Sequence, residues 1–339
     1  MVIKSVRLTT DEDEYKKDLQ LKREDIRLLQ EWLKSQPQFP PIPDVLLIRH
    51  LQVCDYSIER TKQIVDTHFQ LRTAIPELFT NTNPFLPEIQ TVFRHTNMFM
   101  IPEHTKDGYR IIYAGLFTTD SSSYVLEEVM KVFAMVAEAI DGEQGSCPGY
   151  IICIDAEKVC FGHLTKINFS IVRRLFHFAY IVTDILPFYL ENHKTVNVKE
   201  GGSVDENGNT IKLLEVHLLN VNVVIEKVYA LIRPFVKKSL NDMVKFHSKM
   251  DDFYKIMPRE IFPKDMGGEA AYTKEELSMQ TKEKMEGLEE YYKMFKEFLS
   301  CLFSPFQCKP KRRWKPWKST TRCSRRGRSP SLILASTRF

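Results

Sequence analysis

The run Gly-Tyr-Ile-Ile-Cys-Ile-Asp-Ala at 149–156 constrains this chain more than any other stretch. Apolar side chains follow one another there without polar alternation. That pattern predicts a strand covered on both faces, as in a parallel sheet between helices. Its neighbours agree. Residues 107–117 (DGYRIIYAGLF) join a turn signal to a β-branched and aromatic run, and 214–221 and 242–247 read as further strands. Between them, 124–140, 164–185 and 223–235 carry helical apolar patterns. Strands alternating with helices predict an α/β fold with a mostly parallel sheet.

Upstream the pattern is helical. Ile26, Leu29, Trp32 and Leu33 share one helix face, and the prolines from Pro37 to Pro43 end that helix. The expected organisation is an N-terminal helical unit over 10–80, a sheet domain over 85–270, a C-terminal helix over 271–302 and a disordered basic tail over 303–339. A polar, turn-rich segment at 191–211 interrupts the sheet domain. From Lys309 onward there are 11 basic residues and no acid, leaving 37 basic against 44 acidic residues in 1–308. The net charge of +4 therefore belongs to the tail, and the body carries no nucleic-acid footprint.

No apolar run reaches the length of a membrane span; the nearest, FAYIVTDILPFYL, is broken by Asp184 and Pro187. The opening residues turn acidic at once and read as no secretory signal. Cys54, Cys147, Cys153, Cys160, Cys301, Cys308 and Cys323 show no paired metal-ligand spacing, and are expected to be reduced thiols in the cytosol. The histidines are scattered, so no metal is expected. Cys54 to Arg60 has the Cys-x5-Arg spacing of a phosphatase loop. Asp55 and Glu59 would repel phosphate there, and no glycine opens the backbone to a dianion. Asp155 and Glu157 end a predicted strand but lack a phosphate loop, so they read as capping and turn residues. His163 reads as a packed histidine. No catalytic group and no cofactor are expected.

Taken in order, LLIRHLQVCDYSIERTKQIV, DGYRIIY, YIICIDAEKVCFGHLTK, VHLLNVNVVIEKVYALIRPFV and MPREIFPKDMGGE resemble the CRAL-TRIO family of lipid carriers. The specific pieces are Asn220 with Arg233-Pro234-Phe235, and Pro263 with Gly267-Gly268-Glu269. The resemblance implies an N-terminal helical unit followed by a sheet-floored lipid cavity under a mobile helical gate. Val223 to Ile232 corresponds to the gate, through Val224, Ile225, Val228, Tyr229 and Ile232. On periodicity alone that helix reads as core cover. The glycine pair is expected to supply positive-φ positions for a reversal that closes the domain. The chain departs from the family with Gln52 and Cys54 where basic residues are usual, and with Lys158 where glycine is usual. The segment at 191–211 and the tail read equally as elaborations or as translated non-coding sequence.

The expected cavity wall comprises Leu126, Val129, Phe133, Tyr150, Ile152, Ile154, Ile167, Leu175, Phe178, Ala179 and Val216. A lipid burying ~25 methylene-like carbons at ~0.8 kcal/mol each carries a transfer free energy near ~20 kcal/mol, which makes spontaneous desorption very slow. Lowering that barrier requires no catalysis. Lys212, Arg233, Lys237, Lys238 and Lys245 are candidates for a phosphoinositide or anionic membrane surface, although Ser239 and Met243 occupy positions that are basic in relatives. The expected partners are thus a small hydrophobic ligand and an anionic membrane surface, with no specific nucleic acid. The chain is expected to be monomeric and cytoplasmic, with transient membrane association. A phosphoinositide-binding adaptor without net transfer is the alternative.

Overall fold

A computed structural model describes residues 6–39, 41–168, 170, 213–235 and 238–293. Helix α1 (Asp11–Lys17) opens on a capping box. The Thr10 hydroxyl accepts from the Asp13 amide at 3.2 Å, and the Asp13 carboxylate accepts from the Thr10 amide at 3.0 Å. Helix α2 (Arg23–Lys34) turns Ile26 and Leu29 inward, with Trp32 and Leu33 at the rim, as the 3.6-residue spacing predicts. With α3 (Asp44–Val53) and α4 (Ile58–Ala74) it closes a core around Leu47, Ile48, Leu51, Val65 and Phe69. Helices α5 (Pro76–Phe79) and α6 (Pro87–His95) each begin on proline, whose missing N–H costs nothing there.

Five strands follow in spatial order β1 (Thr96–Met100), β2 (Arg110–Leu116), β3 (Tyr150–Asp155), β4 (Leu213–Leu219) and β5 (Val244–His247). The β1–β2 pair is antiparallel and the other three pairs are parallel. Strand β1 escapes sequence reading because Thr96 both caps α6 and begins the strand, leaving no turn residue between them. Helix α7 (Leu126–Gln144) makes the crossover from β2 to β3. Its carboxyl end collects donors from several elements. The Arg49 guanidinium donates to the Asp141 carbonyl, the Thr9 amide to Gly142 O at 2.8 Å, and Arg110 to Gly145 O at 2.7 Å. Cationic and amide donors thus satisfy carbonyls that a helix end leaves orphaned.

Beyond β3 come α8 (Phe161–Leu164) and, after β4, α9 (Val223–Ile232) with a 3-10 turn at Arg233–Phe235. Helix α10 (Lys238–Met243) then occupies the start of the region read as a strand, so β5 begins at Val244. The short α11 (Met250–Phe253) and the longer α12 (Lys274–Gly287) follow among the described residues. The helix expected over 164–185 lies mostly outside the described residues, as do the polar segment 191–211 and the tail from 303.

The reversal before α12 departs from expectation at one glycine. Gly267 has φ +80, the left-handed region open to a residue without Cβ. Gly268 is not a positive-φ residue; a Cβ there would lie 2.1 Å from the Phe262 carbonyl oxygen, so it serves close backbone approach.

The two faces of the sheet differ. On one, Phe99, Ile101, Ile111, Tyr113, Ile151, Cys153 and Leu219 form a single core with Phe253, Phe262, Met266 and Leu277 from the C-terminal elements. We call this the closed face. On the other, Met98 and Ile112 are buried against α6, α7 and the α12 side of the fold. Across β3 to β5 that cover thins. Ile154 and Phe246 are each 40% exposed, and Ile152, Val216, Leu218 and Val244 are half-buried. Among the described residues, the uninterrupted apolar run of β3 is therefore closed on one face only. A run of this kind reports apolar surroundings without saying whether the chain itself supplies them.

Candidate functional site

Parallel register brings the open-face residues into two rows. Ile112, Ile152, Val216 and Val244 pair in sequence across four strands, and Ala114, Ile154, Leu218 and Phe246 form the next row. Of these, Ile152, Ile154 and Val216 were expected in the wall. Leu218, Val244 and Phe246 were not, although the alternation of Val244 and Phe246 with Lys245 and His247 was a period-2 signal for them. On α7, Val129 and Phe133 are half-buried beside the same core, and Leu126 and Ile167 are also half-buried. Tyr150 is only 2% exposed and accepts from Arg110 at 2.9 Å through its hydroxyl, which also bonds Asp141. It belongs to the polar knot at the end of α7 instead of the open rows. Leu175, Phe178 and Ala179 lie outside the described residues.

Helix α9 has an unusual balance for a helix of its composition: none of its ten residues is buried. Val223 is 63% and Leu231 59% exposed, while Val224, Ile225, Val228, Tyr229 and Ile232 are half-buried. It starts firmly. The Asn222 side-chain oxygen accepts from the Val224 and Ile225 amides at 3.0 and 3.1 Å. The Asn222 side-chain nitrogen donates to Val159 O at 3.2 Å and Ala156 O at 3.4 Å, fastening the helix start to the loop after β3. The Tyr229 ring meets Phe246 edge-on, with centroids 4.7 Å apart, and its hydroxyl bonds Asn241. Among the described residues the helix meets the open face through the Tyr229–Phe246 pair, with its five gate side chains half-buried and Val223 and Leu231 left exposed.

Beneath α9, Asp155 ties the strand ends together. It accepts from the Tyr113 hydroxyl at 2.5 Å, the Asn220 side chain at 2.8 Å and the Glu157 amide at 2.9 Å, with Lys274 Nζ 3.7 Å away. Asn220 holds φ +51 to reach it. A carboxylate with this many donors is structural, in line with the capping role read from sequence. His163 is 4% exposed and lies edge-on to Tyr124, so it is packed as expected. Cys54 is fully buried, and burial pushes its thiol up to about 12, the reverse of what a phosphatase nucleophile needs.

The cationic candidates separate. Arg233 and Lys238 are exposed just after α9. Lys245 projects to the closed face, where it pairs with Glu215. Glu215 also accepts from His217 Nε2 at 2.8 Å, and His217 Nδ1 lies 2.9 Å from His247 Nε2. Burial opposes ionisation of Glu215, but its bonds to Lys245 and His217 outweigh that and hold its carboxyl below the usual range. Burial pushes His217 down to about 4 against the pull of Glu215, and lowers His247 as well. Lys212 and Lys237 lie outside the described residues. A separate cleft of about 210 Å³ opens between α7, β1 and α12, lined by Met100, Val136, Ile140, Leu277, Met285 and Leu288 among others. It contains none of the expected wall residues. Among the described residues no group of metal-ligating side chains converges, and no helix is long and apolar enough to cross a membrane.

Two family models match the chain: one described as Pinta-like, UBA domain, over residues 18–89, and one as CRAL/TRIO domain, over residues 179–268. An alpha-tocopherol transfer protein-like protein of Mus musculus is 22% identical over 250 residues, covering 73% of this chain and 65% of its own. Its namesakes in Pongo abelii and Homo sapiens are each 22% identical over 231 residues, covering 68% of this chain and 59% of theirs. The matched region thus spans under two thirds of the length of those relatives. The crystal structure of Sfh5 superposes with a TM-score of 0.41 at 10% identity over 76% of this chain and 92% of that one, too loosely to argue from.

Proposed function

We propose that this chain, whose residues 179–268 match the CRAL/TRIO domain model, works as a member of that family and carries a small hydrophobic molecule against the open face of its sheet. The cargo is a retinoid, tocopherol-like compound or other lipid, released and reloaded at a membrane when α9 swings away. One observation carries the reading: the two rows centred on Ile154 and Phe246 are apolar yet incompletely covered, beneath a helix that buries none of its own residues. Six open side chains and an apolar helix only half-buried at best are costly in water unless something apolar fills the space between them. In this reading Leu126, Val129, Phe133, Ile152, Ile154, Ile167 and Val216 line the site, joined by Leu218, Val244 and Phe246. Val224, Ile225, Val228, Tyr229 and Ile232 close it. The N-terminal helices over 10–80 brace α7, and the sheet domain runs over 85–270. No residue is given a catalytic role.

Organic extraction of the purified protein, followed by mass spectrometry and a vesicle-to-vesicle transfer assay, tests the reading. A stoichiometric lipid that moves between vesicles is expected. A protein that extracts empty and accelerates no transfer is not a carrier. The second reading, a phosphoinositide-binding adaptor, draws on Arg233 and Lys238, which stand exposed at the carboxyl end of α9. Replacing both by alanine should weaken attachment to anionic vesicles by ~1 kcal/mol per residue, less at high salt. Binding without transfer would favour this reading.

A further inference from the structure

The loop that anchors α9 holds a thiol–imidazole pair that plays no part in carrying lipid. Cys160 Sγ lies 3.2 Å from His163 Nδ1 and 3.2 Å from the Thr119 carbonyl oxygen. The same Nδ1 accepts the Cys160 backbone N–H at 3.2 Å. A ring nitrogen that accepts an amide proton carries a lone pair, so the one thiol proton has two acceptors within reach, Nδ1 and the Thr119 carbonyl oxygen. The His163 backbone N–H donates to the Cys160 carbonyl oxygen at 3.1 Å. The pair therefore sets a thiol against a ring nitrogen able to take its proton. The imidazole is held still, 4% exposed and edge-on to Tyr124 at 5.0 Å, with Asp120 and Lys166 as its charged neighbours.

The other described thiols have different settings. Cys54 and Cys153 are wholly buried, and burial raises the pKa of both and of Cys147. Cys160 is partly exposed, between Val159, whose carbonyl anchors the Asn222 cap, and the exposed Phe161.

We propose that Cys160 is a covalent modification site, activated by His163, for soft electrophiles of the α,β-unsaturated aldehyde class. The sulfur forms a bond to the β-carbon of the enal as its proton passes to His163 Nδ1. The carbon–carbon π bond opens towards the carbonyl, and the imidazolium returns the proton to the α-carbon. A thioether results, with no oxidant or reductant needed. The adduct forms on the loop that fastens the start of α9, so electrophile exposure bears directly on that helix. The assignment stands whether or not the open face carries lipid.

The test treats the full-length protein with substoichiometric 4-hydroxy-2-nonenal at pH 7 and follows each cysteine by peptide mapping. Cys160 is expected to react about tenfold faster than Cys54, Cys147, Cys153 or free glutathione, a modest fraction of what a positioned base can supply. His163→Gln should remove that advantage and change the pH profile of the rate, while Cys160→Ser abolishes the adduct. Should His163→Gln not fold, the wild-type ratio to glutathione decides alone. A Cys160 rate no faster than glutathione overturns the site. An unchanged rate and pH profile in folded His163→Gln overturns the activation.

Discussion

The two faces of strand β3 are built from alternate residues of one short segment, yet they have opposite fates. Ile151 and Cys153 are at most 5% exposed, sealed by Phe253, Phe262 and Met266. Ile152 and Ile154, one residue away, are half-buried and 40% exposed. The closed face is finished by the chain and should govern stability. The open face is apolar and only partly covered by the described residues, and should govern function. In the proposed reading, a site for a greasy guest lies on the side of the sheet that the described residues cover less, opposite the side they seal.

The largest expected effect tests the sealed side. Phe253 is fully buried, edge-on to His217, His247 and Phe262, so Phe253→Ala should cost ~3–5 kcal/mol in denaturant unfolding. Next comes acid. His217 is buried neutral with its pKa depressed to about 4, so the unfolded chain binds the extra proton first. Its contribution is complete above the ordinary histidine value near ~6.5 and is lost as pH falls towards about 4, a drop of roughly 2–3 kcal/mol. Urea melts between pH 7 and pH 4 should show this slope, and His217→Gln should flatten it.

Smaller still, Asn222→Ala removes the cap of α9 and its tie to Val159. It should cost ~1 kcal/mol locally, read as roughly fivefold faster amide hydrogen exchange in α9 with the closed face unchanged. The smallest stability effect belongs to the open face: Phe246→Ala should cost under ~1 kcal/mol while reducing retained lipid several-fold. Equal destabilisation by Phe246→Ala and Phe253→Ala would erase the distinction between the faces.

Much of this was written locally. The signals that start α9 and α12 are local too: Asn222 caps the one, and Thr273 with Glu276 forms a capping box on the other. The parallel sheet followed from strand and helix alternation, and Asp155 was legible as a turn carboxylate because no phosphate loop accompanied it. The misreadings share a cause. Tyr150 looked like a wall residue from its strand position, but Arg110, forty residues earlier, draws it into a polar knot. Lys245 looked available to a membrane until the β4–β5 register set it beside Glu215. Gly268 looked like a second positive-φ glycine, whereas the Phe262 carbonyl is what excludes a side chain there.

The sequence by itself determined the elements, their order and the apolar character of both sheet faces, because periodicity, capping and turn chemistry act over a few residues. Only the tertiary structure decided which face is sealed and which thiol meets an imidazole. Those outcomes depend on what distant segments bring to a surface, and alternation along a strand assigns a residue to a side without saying what lies across from it.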